Sequence, residues 1–330
     1  MTAGRRRTVP AAVALAILAA VVAAVALASG GPDAADRFLD RYMESGGRVV
    51  RRDQGGDTVS EGQAYAMLLA AGNGDRARFD AAWTWARRHL QRRDGLLAWQ
   101  WDKGRVIDRQ PATDADLDAA WALSLAARRF HSPSYRRASA RIARAVLSYE
   151  TAPIAGKIIL LAGPWARASG TLNPSYFSPG AYAALARVAP DPRWARLAAD
   201  SRRLVTRLPS PPPDWARMDT AGVHPAGAPG TQQPAGYGYD AYRAPVRYAA
   251  SCGAADRAAA ARWWPAVRRT DNPAATVGAA GAARAAGDKN ASDALLDHAE
   301  KQDAEHPTYY GAAWVALGRE LLQSTDLPAC

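Results

Sequence analysis

About twelve segments of this chain carry apolar residues at the spacing of an amphipathic helix, and this periodicity constrains the fold more than any other feature. The segments are 34–44, 61–72, 76–91, 114–129, 134–149, 179–188, 192–207, 239–250, 254–268, 273–286, 291–305 and 309–322. No convincing set of alternating, strand-like segments accompanies them. The pattern by itself predicts an all-α fold.

The chain has 330 residues, of which 48% are hydrophobic, so it can bury a large core. No low-complexity linker interrupts it, and we expect one domain over residues 29–330. Gly- and Pro-rich stretches at 209–213 and 222–238 are expected to form loops over one end of that domain. Such loops commonly carry binding and catalytic residues.

The first 28 residues have the pattern of an export signal. Arg5, Arg6 and Arg7 precede an uninterrupted apolar stretch over residues 9–28, which ends in small residues. This stretch is long enough to cross a bilayer if it is not removed. We therefore expect residues 1–28 to be a cleaved signal peptide or an N-terminal membrane anchor. In either case the protein would be secreted or held on the outer side of the membrane.

Carboxylic acids occur in three motifs that are well separated along the chain. Glu61 follows Ser60, Asp114 opens a run of three alternating aspartates, and Asp240 follows Tyr239. Cleavage of a glycosidic bond needs one protonated carboxyl group and one ionised carboxylate, and it needs no metal or other cofactor. In a chain with 11 Trp and 12 Tyr residues, these acids indicate a polysaccharide hydrolase.

Glu61 and Asp240 differ in their local surroundings. Arg243 lies one helical turn after Asp240, close enough to keep this aspartate charged, as a base requires. No cation follows Glu61 within four residues, so nothing local opposes the raised pKa that an acid requires. Ser60 and Gln63 have the spacing of a capping box, which places Glu61 in the first turn of a helix. An ordinary first-turn glutamate is the alternative interpretation.

Asp114, Asp116 and Asp118 also have the spacing that opens a calcium-binding EF-hand loop. Such a loop needs Gly at its sixth position, where this chain has Ala119. The five histidines form no zinc motif. We therefore expect no metal site. The aspartates can also be explained as carboxylates near the N-terminus of a helix capped by Thr113, and this explanation is compatible with sugar binding by Asp114.

Trp99 and Trp101 alternate in a polar segment, which is unusual for a core helix and typical of a groove wall that stacks on pyranose rings. We expect both to contact substrate, with Tyr176 as a further contact. Tyr176, Tyr309 and Tyr310 are weaker candidates than the two tryptophans. Tryptophans within helical segments are expected to pack in the core, and they are Trp83, Trp85, Trp194, Trp263, Trp264 and Trp314.

These motifs together resemble glycoside hydrolase family 8, which includes bacterial endoglucanases and the cellulase found beside bacterial cellulose synthases. The matching motifs are residues 60–67 (SEGQAYAM), 96–101 (LLAWQW), 112–130 (ATDADLDAAWALSLAARRF), 173–177 (NPSYF), 213–215 (PDW) and 239–243 (YDAYR). Their order and spacing agree from residue 36 to the C-terminus. The resemblance implies an (α/α)6 barrel and hydrolysis with inversion of the anomeric carbon.

The resemblance also implies roles for individual residues. Glu61 would be the proton donor, Asp240 the base that activates water, and Asp114 the residue that holds the sugar ring at the cleavage point. Tyr239 and Arg243 would flank the base. The expected substrate is a β-1,4-linked glucan cut internally. Xylan, mixed-linkage glucan and chitosan, on which other members act, are the alternatives.

Two other classes of function stay open. A catalytically weak or silent glycan-binding partner of a polysaccharide-secretion system needs aromatic residues and no acid–base pair. A polysaccharide lyase needs a Tyr, His or Arg proton shuttle.

The formal net charge is +11, but the arginines are spread over many helices and no aromatic-basic recognition module occurs. We therefore expect a monomer that binds polysaccharide and no nucleic acid.

Cys252 and Cys330 are the only cysteines. An exported protein with an even number of cysteines can form a disulfide, which would fix the last residues to the domain. The equally supported alternative is a buried free Cys252 with a loose terminal Cys330.

Overall fold

Helices dominate the structure, as the periodicity predicts. The computed structural model describes residues 33–268 and 270–324. The described helices number twelve, and they are α1 (Ala34–Tyr42), α2 (Ser60–Asn73), α3 (Arg76–His89), α4 (Thr113–Arg129), α5 (Pro133–Tyr149), α6 (Pro179–Val188), α7 (Arg193–Arg207), α8 (Arg243–Ala249), α9 (Ala254–Ala261), α10 (Pro273–Ala285), α11 (Lys289–Glu305) and α12 (Tyr309–Leu322). Each of the twelve periodic segments corresponds to one of them.

Six of the described helices form an inner ring. α2 packs on α4, α4 on α6, α6 on α8, α8 on α10 and α10 on α12, and α12 returns to α2. The outer helices α3, α5, α7, α9 and α11 each pack on the inner helix that precedes them in sequence, and α1 packs on α12. The architecture is an (α/α)6 barrel, which confirms the fold that the family resemblance implies.

Small residues allow the inner helices to approach one another closely. A Cβ atom at Gly281 in α10 would lie 2.8 Å from the backbone of Val246 in α8. One at Gly278 would lie 2.6 Å from the carbonyl oxygen of Tyr242. In α4, every residue over 113–126 is buried. Because an inner helix is surrounded on all sides, its apolar residues are not confined to one stripe.

Short β-strands, which the periodicity does not predict, occur in the segments between the helices. The described strands form three antiparallel sheets, β1 (Thr58–Val59) with β2 (Gln100–Asp102) and β3 (Arg105–Asp108), β4 (Thr151–Ile154) with β5 (Lys157–Leu160), and β6 (Thr171–Leu172) with β7 (Trp215–Met218) and β8 (Val223–Ala226). Strands of two to four residues are too short for apolar alternation to be recognised. The pairing of β1 with β2 brings the segment after Leu97 to the start of α2.

Several local predictions of helix ends are wrong. The helix predicted over 239–250 begins only at Arg243, and the one predicted over 254–268 ends at Ala261. The capping box at the start of α2 is absent, because the Gln63 carboxamide bonds the backbone of Val49, Gly47 and Ala82. At the start of α4, the expected cap Thr113 is instead the first helical residue, and Ala112 precedes it.

Two predictions concern parts of the chain outside the described residues. These are the signal peptide or membrane anchor over residues 1–28, and the disulfide alternative, which involves Cys330. Among the helices that the structure describes, none has both the length and the hydropathy needed to cross a bilayer.

Candidate active site

The first turns of three inner helices bring charged side chains together at one end of the barrel. Glu61 lies in the first turn of α2, Asp114 in that of α4, and Arg243 is the first residue of α8. Asp240 lies in the turn that leads into α8. The position of Glu61 in a first helical turn is as predicted.

A cavity of about 490 Å³ lies over these helix starts. Both Glu61 and Asp240 line it, although 179 residues separate them in sequence. The other lining residues with an aromatic or polar side chain are Trp99, Asp108, Gln110, Trp165, Tyr176 and Trp215. The cavity therefore combines three carboxyl groups, those of Glu61, Asp240 and Asp108, with four aromatic side chains, and a carbohydrate site requires such a combination.

Glu61 lies against an aromatic wall. Trp99 Nε1 donates a hydrogen bond to Glu61 Oε1 at 3.3 Å, and Ser60 Oγ lies 3.3 Å from Oε2. Burial raises the pKa of Glu61 to about 7, and the negative charge of Asp114 adds to this effect. The Arg243 charge and the Trp99 hydrogen bond oppose it without cancelling it. Glu61 can therefore hold a proton near neutral pH, as a general acid must.

Asp240 is held by two donors. Arg243 Nη2 lies 2.8 Å from Oδ1, and Asn173 Nδ2 donates to Oδ2 at 3.0 Å. The side chain is 31% exposed to the cavity. We expected the cation to keep the pKa of Asp240 low, and the contact with Arg243 is present. Burial outweighs that contact, however, so the pKa of Asp240 lies above the ordinary aspartate value.

The turn that carries Asp240 is fixed by a second aspartate. Asp214 Oδ1 accepts hydrogen bonds from the backbone nitrogens of Gly238 and Ala241, at 3.1 and 2.7 Å. These bonds hold the chain on both sides of Asp240. The chain over residues 239–242 therefore forms a turn that Asp214 holds in place before α8 begins.

Asp114 lies beneath the cavity and is 1% exposed. Its Oδ2 lies 2.5 Å from Arg243 Nη1, and its Oδ1 accepts a hydrogen bond from the backbone nitrogen of Ala115. One guanidinium therefore bridges Asp114 and Asp240. Burial raises the pKa of Asp114, and the charges of Arg243 and Arg247 oppose this rise. The observed partner of Asp114 is Arg243, while its predicted contact with the sugar ring stays a prediction.

A second buried ion pair lies one helical turn deeper. Arg247 Nη1 and Nη2 each lie 2.7 Å from an oxygen of Asp118, and both side chains are almost fully buried. The pair joins α8 to α4 in the same way as Arg243 and Asp114 do. Sequence reasoning treated Asp118 only as a first-turn carboxylate and missed this partner, because 129 residues separate the two.

The aromatic residues predicted to bind substrate divide into two groups. Trp99 and Tyr176 line the cavity. Trp101 does not line it, because its ring packs on Trp85 at 5.4 Å and on His89 at 6.0 Å, with the Arg48 guanidinium 4.5 Å from the ring. These contacts are those of a packing residue, and substrate contact by Trp101 stays a prediction.

Tyr239 lies outside this cavity. Its side chain is 65% exposed, and its ring lies 5.8 Å from that of Tyr310. Tyr310 also donates its hydroxyl to the Tyr239 carbonyl at 2.6 Å, directly before Asp240 in sequence. Tyr310, a weak candidate from sequence, is thus a neighbour of the candidate base. Tyr309 is buried with Phe38 and Tyr42, and its backbone nitrogen bonds Asp53.

The described residues contain no group of three or more His, Cys, Asp or Glu side chains arranged to hold a metal ion. The alternating aspartates of α4 illustrate the reason. Asp114 and Asp118 each bond an arginine, while Asp116 accepts a hydrogen bond from the backbone nitrogen of Leu97. Their carboxylates therefore serve three different partners.

A family model for the glycosyl hydrolases family 8 matches residues 6–265. The chain belongs to glycosyl hydrolase family 8. A probable endoglucanase of Novacetimonas hansenii is 35% identical over 258 residues, which cover 71% of this chain and 74% of that protein. An endoglucanase of Cellulomonas uda is 31% identical over 225 residues, covering 64% of this chain and 61% of that protein.

Solved structures of family 8 proteins share the barrel. The endo-β-1,4-glucanase CMCax from Acetobacter xylinum has 30% sequence identity and a TM-score of 0.73, covering 86% of this chain and 95% of that one. Endoglucanase Cel10 of Klebsiella pneumoniae has 27% identity and a TM-score of 0.75, covering 88% of this chain and 99% of that one. As a member of family 8, this protein is a glycoside hydrolase whose substrate is a polysaccharide.

Several residues of this family 8 site were not predicted from the sequence to contact substrate. Asn173 and Trp215 lie within motifs that carry the resemblance, so those motifs were an available signal. Trp165 is 40% exposed at the cavity, and it stands outside every recognised motif. Asp108 and Gln110 line the cavity near strand β3, where no helical period could have indicated them.

Proposed function

We propose that this protein is an inverting, endo-acting β-1,4-glucanase in which Glu61 is the general acid and Asp240 is the general base. The observation that supports the assignment is that both carboxyl groups line one aromatic cavity with different partners. Glu61 accepts from an indole nitrogen, whereas Asp240 is held by a guanidinium and a carboxamide. An acid and a base need such different surroundings.

The proposed reaction requires no cofactor. Glu61 donates its proton to the glycosidic oxygen while the C–O bond breaks and the ring becomes oxocarbenium-like. Asp240 accepts a proton from the water that attacks the opposite face of the ring. Arg243 and Asn173 orient the base by their contacts with its two oxygens. Asp114 holds Arg243, and its ring-holding role is carried over from the family resemblance.

The aromatic lining supports a glucan substrate. Trp99, Trp165, Tyr176 and Trp215 come from four separate segments and all line the cavity. Equatorially linked sugars expose flat apolar faces that stack on such rings. The names of the similar proteins, a probable endoglucanase and an endo-β-1,4-glucanase, point to the same substrate class. We propose internal cleavage because the aromatic residues are spread over several segments.

The cellular setting is part of this proposal. The arginines and apolar stretch of residues 1–28 support export, so the protein would act outside the cytoplasm, either secreted or anchored by its N-terminus. We propose that it acts as a monomer, since Glu61 and Asp240 both come from one chain.

A panel of polysaccharides tests the proposed function. Carboxymethylcellulose should lose viscosity rapidly while few reducing ends appear, and xylan and chitosan should be cut slowly or not at all. The Glu61→Gln/Asp240→Asn double variant is the matched inactive control. Release of single sugars at constant viscosity would contradict the endo action, and activity confined to xylan or chitosan would contradict the substrate.

The same panel separates the other classes of function. A glycan-binding partner would bind the polymer and produce no new ends with any substrate. A lyase would produce unsaturated products instead of simple reducing ends. Hydrolysis without unsaturation is the outcome that we expect.

A further inference from the structure

Two fully buried carboxyl groups lie next to the candidate active site, and neither forms a salt bridge with a cation of the described residues. Asp116, in the first turn of α4, and Glu150, which follows α5, are both 0% exposed. Oδ2 of Asp116 and both carboxyl oxygens of Glu150 accept no hydrogen bond from a donor of the described residues. Instead the two carboxyl groups face each other, and the Thr113 side chain also faces Glu150.

The remaining oxygen of the pair holds the segment that carries Trp99. Asp116 Oδ1 accepts a hydrogen bond from the backbone nitrogen of Leu97 at 2.8 Å. Two residues later, the Trp99 carbonyl accepts from the backbone nitrogen of Ser60 at 2.8 Å, and the Trp99 indole donates to Glu61. A continuous path of covalent and hydrogen bonds therefore connects Asp116 to the candidate acid.

Two adjacent carboxylates cannot both be ionised in a buried site at moderate cost, because their charges repel and neither is solvated. Asp94 and Asp114, each paired with its own arginine, Arg92 and Arg243, add further negative charge near the pair. Burial raises the pKa of Glu150 to about 8 and that of Asp116 well above its ordinary range. One proton placed between the carboxyl groups removes a charge and supplies the missing donor.

We propose that Asp116 and Glu150 share one proton and act as a positioning pair, which holds the segment 97–99 and therefore the Trp99 indole against Glu61. The proposal rests on the proposed function, because it takes Glu61 to be the acid. It assigns a role to a buried acidic pair that the reaction itself does not use.

Substitution of Asp116 tests the positioning role through activity. Asp116→Ala removes the acceptor for the Leu97 amide, so kcat should fall about 10- to 100-fold while KM changes little. Asp116→Asn keeps an acceptor oxygen and should restore most of kcat. The matched control is Asp200→Ala, because Asp200 is also a buried aspartate that accepts from a backbone nitrogen, that of Ile158 in strand β5. Its kcat should be unchanged.

Hydrogen exchange gives a readout that does not depend on activity. In Asp116→Ala, the Leu97 amide should exchange faster, and Asp116→Asn should restore its protection. A variant that melts at a lower temperature but keeps both Leu97 protection and wild-type kcat would overturn the positioning role. If the wild type hydrolyses no polysaccharide, the proposed function fails, and the exchange experiment still decides whether Asp116 holds the segment.

A separate experiment tests the shared proton, and it does not require the Asp116→Ala variant to fold. The double variant Asp116→Asn/Glu150→Gln keeps the shape of the pair and removes its titration. A group that is protonated only when folded loses stability as pH rises from its unfolded pKa to its folded one. The melting temperature of the double variant should therefore rise relative to wild type between about pH 5 and pH 8. A constant difference would refute proton sharing.

Discussion

Trp99 Nε1 lies 3.3 Å from Glu61 Oε1. The contact joins the aromatic wall of the cavity to the candidate acid, across 38 residues of sequence. The indole N–H of Trp99 stabilises the ionised form of the Glu61 carboxyl group, while burial stabilises the neutral form. Burial is the larger effect. A sugar stacked on Trp99 would therefore lie beside a carboxyl group that holds a proton near neutral pH.

Glu61→Gln should lower kcat about 100- to 10,000-fold and leave KM within a few-fold, because it removes proton donation and keeps the shape of the side chain. Steady-state kinetics on carboxymethylcellulose measure this effect. The exposed Glu44→Gln serves as the control and should behave as wild type. Near wild-type kcat in Glu61→Gln would show that another group is the acid.

Asp240→Asn should also lower kcat by at least about 100-fold while the enzyme still binds cello-oligosaccharides, since the water loses its proton acceptor. Calorimetric titration with cellohexaose checks binding separately from turnover. Asn173→Ala, which removes one hydrogen bond to Asp240, is expected to cause a smaller loss. Equal losses in the two variants would assign Asp240 a role in orientation only.

The alkaline side of the pH profile should report Glu61. The acid must be protonated to act, and burial raises its pKa to about 7, so kcat/KM should fall as pH rises through about 7. Trp99→Phe keeps an aromatic ring but removes the N–H that favours the ionised form, which should move this limb to higher pH. A limb that stays in place in Trp99→Phe would argue against the Trp99 contact.

Trp99→Ala and Trp101→Ala should have different effects, although the two residues are nearly adjacent. Trp99 lines the cavity and bonds Glu61, so its loss should lower kcat and should affect long and short oligosaccharides alike. Trp101 packs on Trp85 and His89, so its loss should lower the free energy of unfolding by about 1–3 kcal/mol and leave KM unchanged. A raised KM in Trp101→Ala would show that Trp101 contacts the substrate.

Hydrolysis should invert the anomeric carbon. Inversion leaves room for a water molecule between the sugar and the base, with carboxyl groups about 6.5–9.5 Å apart, whereas retention needs about 5–5.5 Å. Proton NMR of fresh cello-oligosaccharide products should therefore show the α-anomer first. The same products without enzyme measure mutarotation as a control. Initial release of the β-anomer would make Asp240 a nucleophile.

Much of the fold could be predicted because it depends on local periodicity. Each segment with a helical period became a helix, since an apolar stripe is a property of neighbouring residues on one helix. Two helix ends are exceptions, because α8 begins only at Arg243 and α9 ends at Ala261. The short strands were also missed, since their hydrogen bonds join segments that are far apart in sequence.

The sequence by itself determined the family through its short motifs and the helical class through its apolar periodicity, and the motifs predict Glu61 and Asp240 as the catalytic pair. Only the tertiary structure decided what each side chain contacts. In the folded protein, Trp99 lines the cavity and Trp101 packs on Trp85. Arg243 bonds Asp114, which lies 129 residues away in sequence. The physical reason is that these contacts form only when the inner ring of helices closes. The distance between two helix starts along the sequence does not specify whether they will be neighbours in that ring.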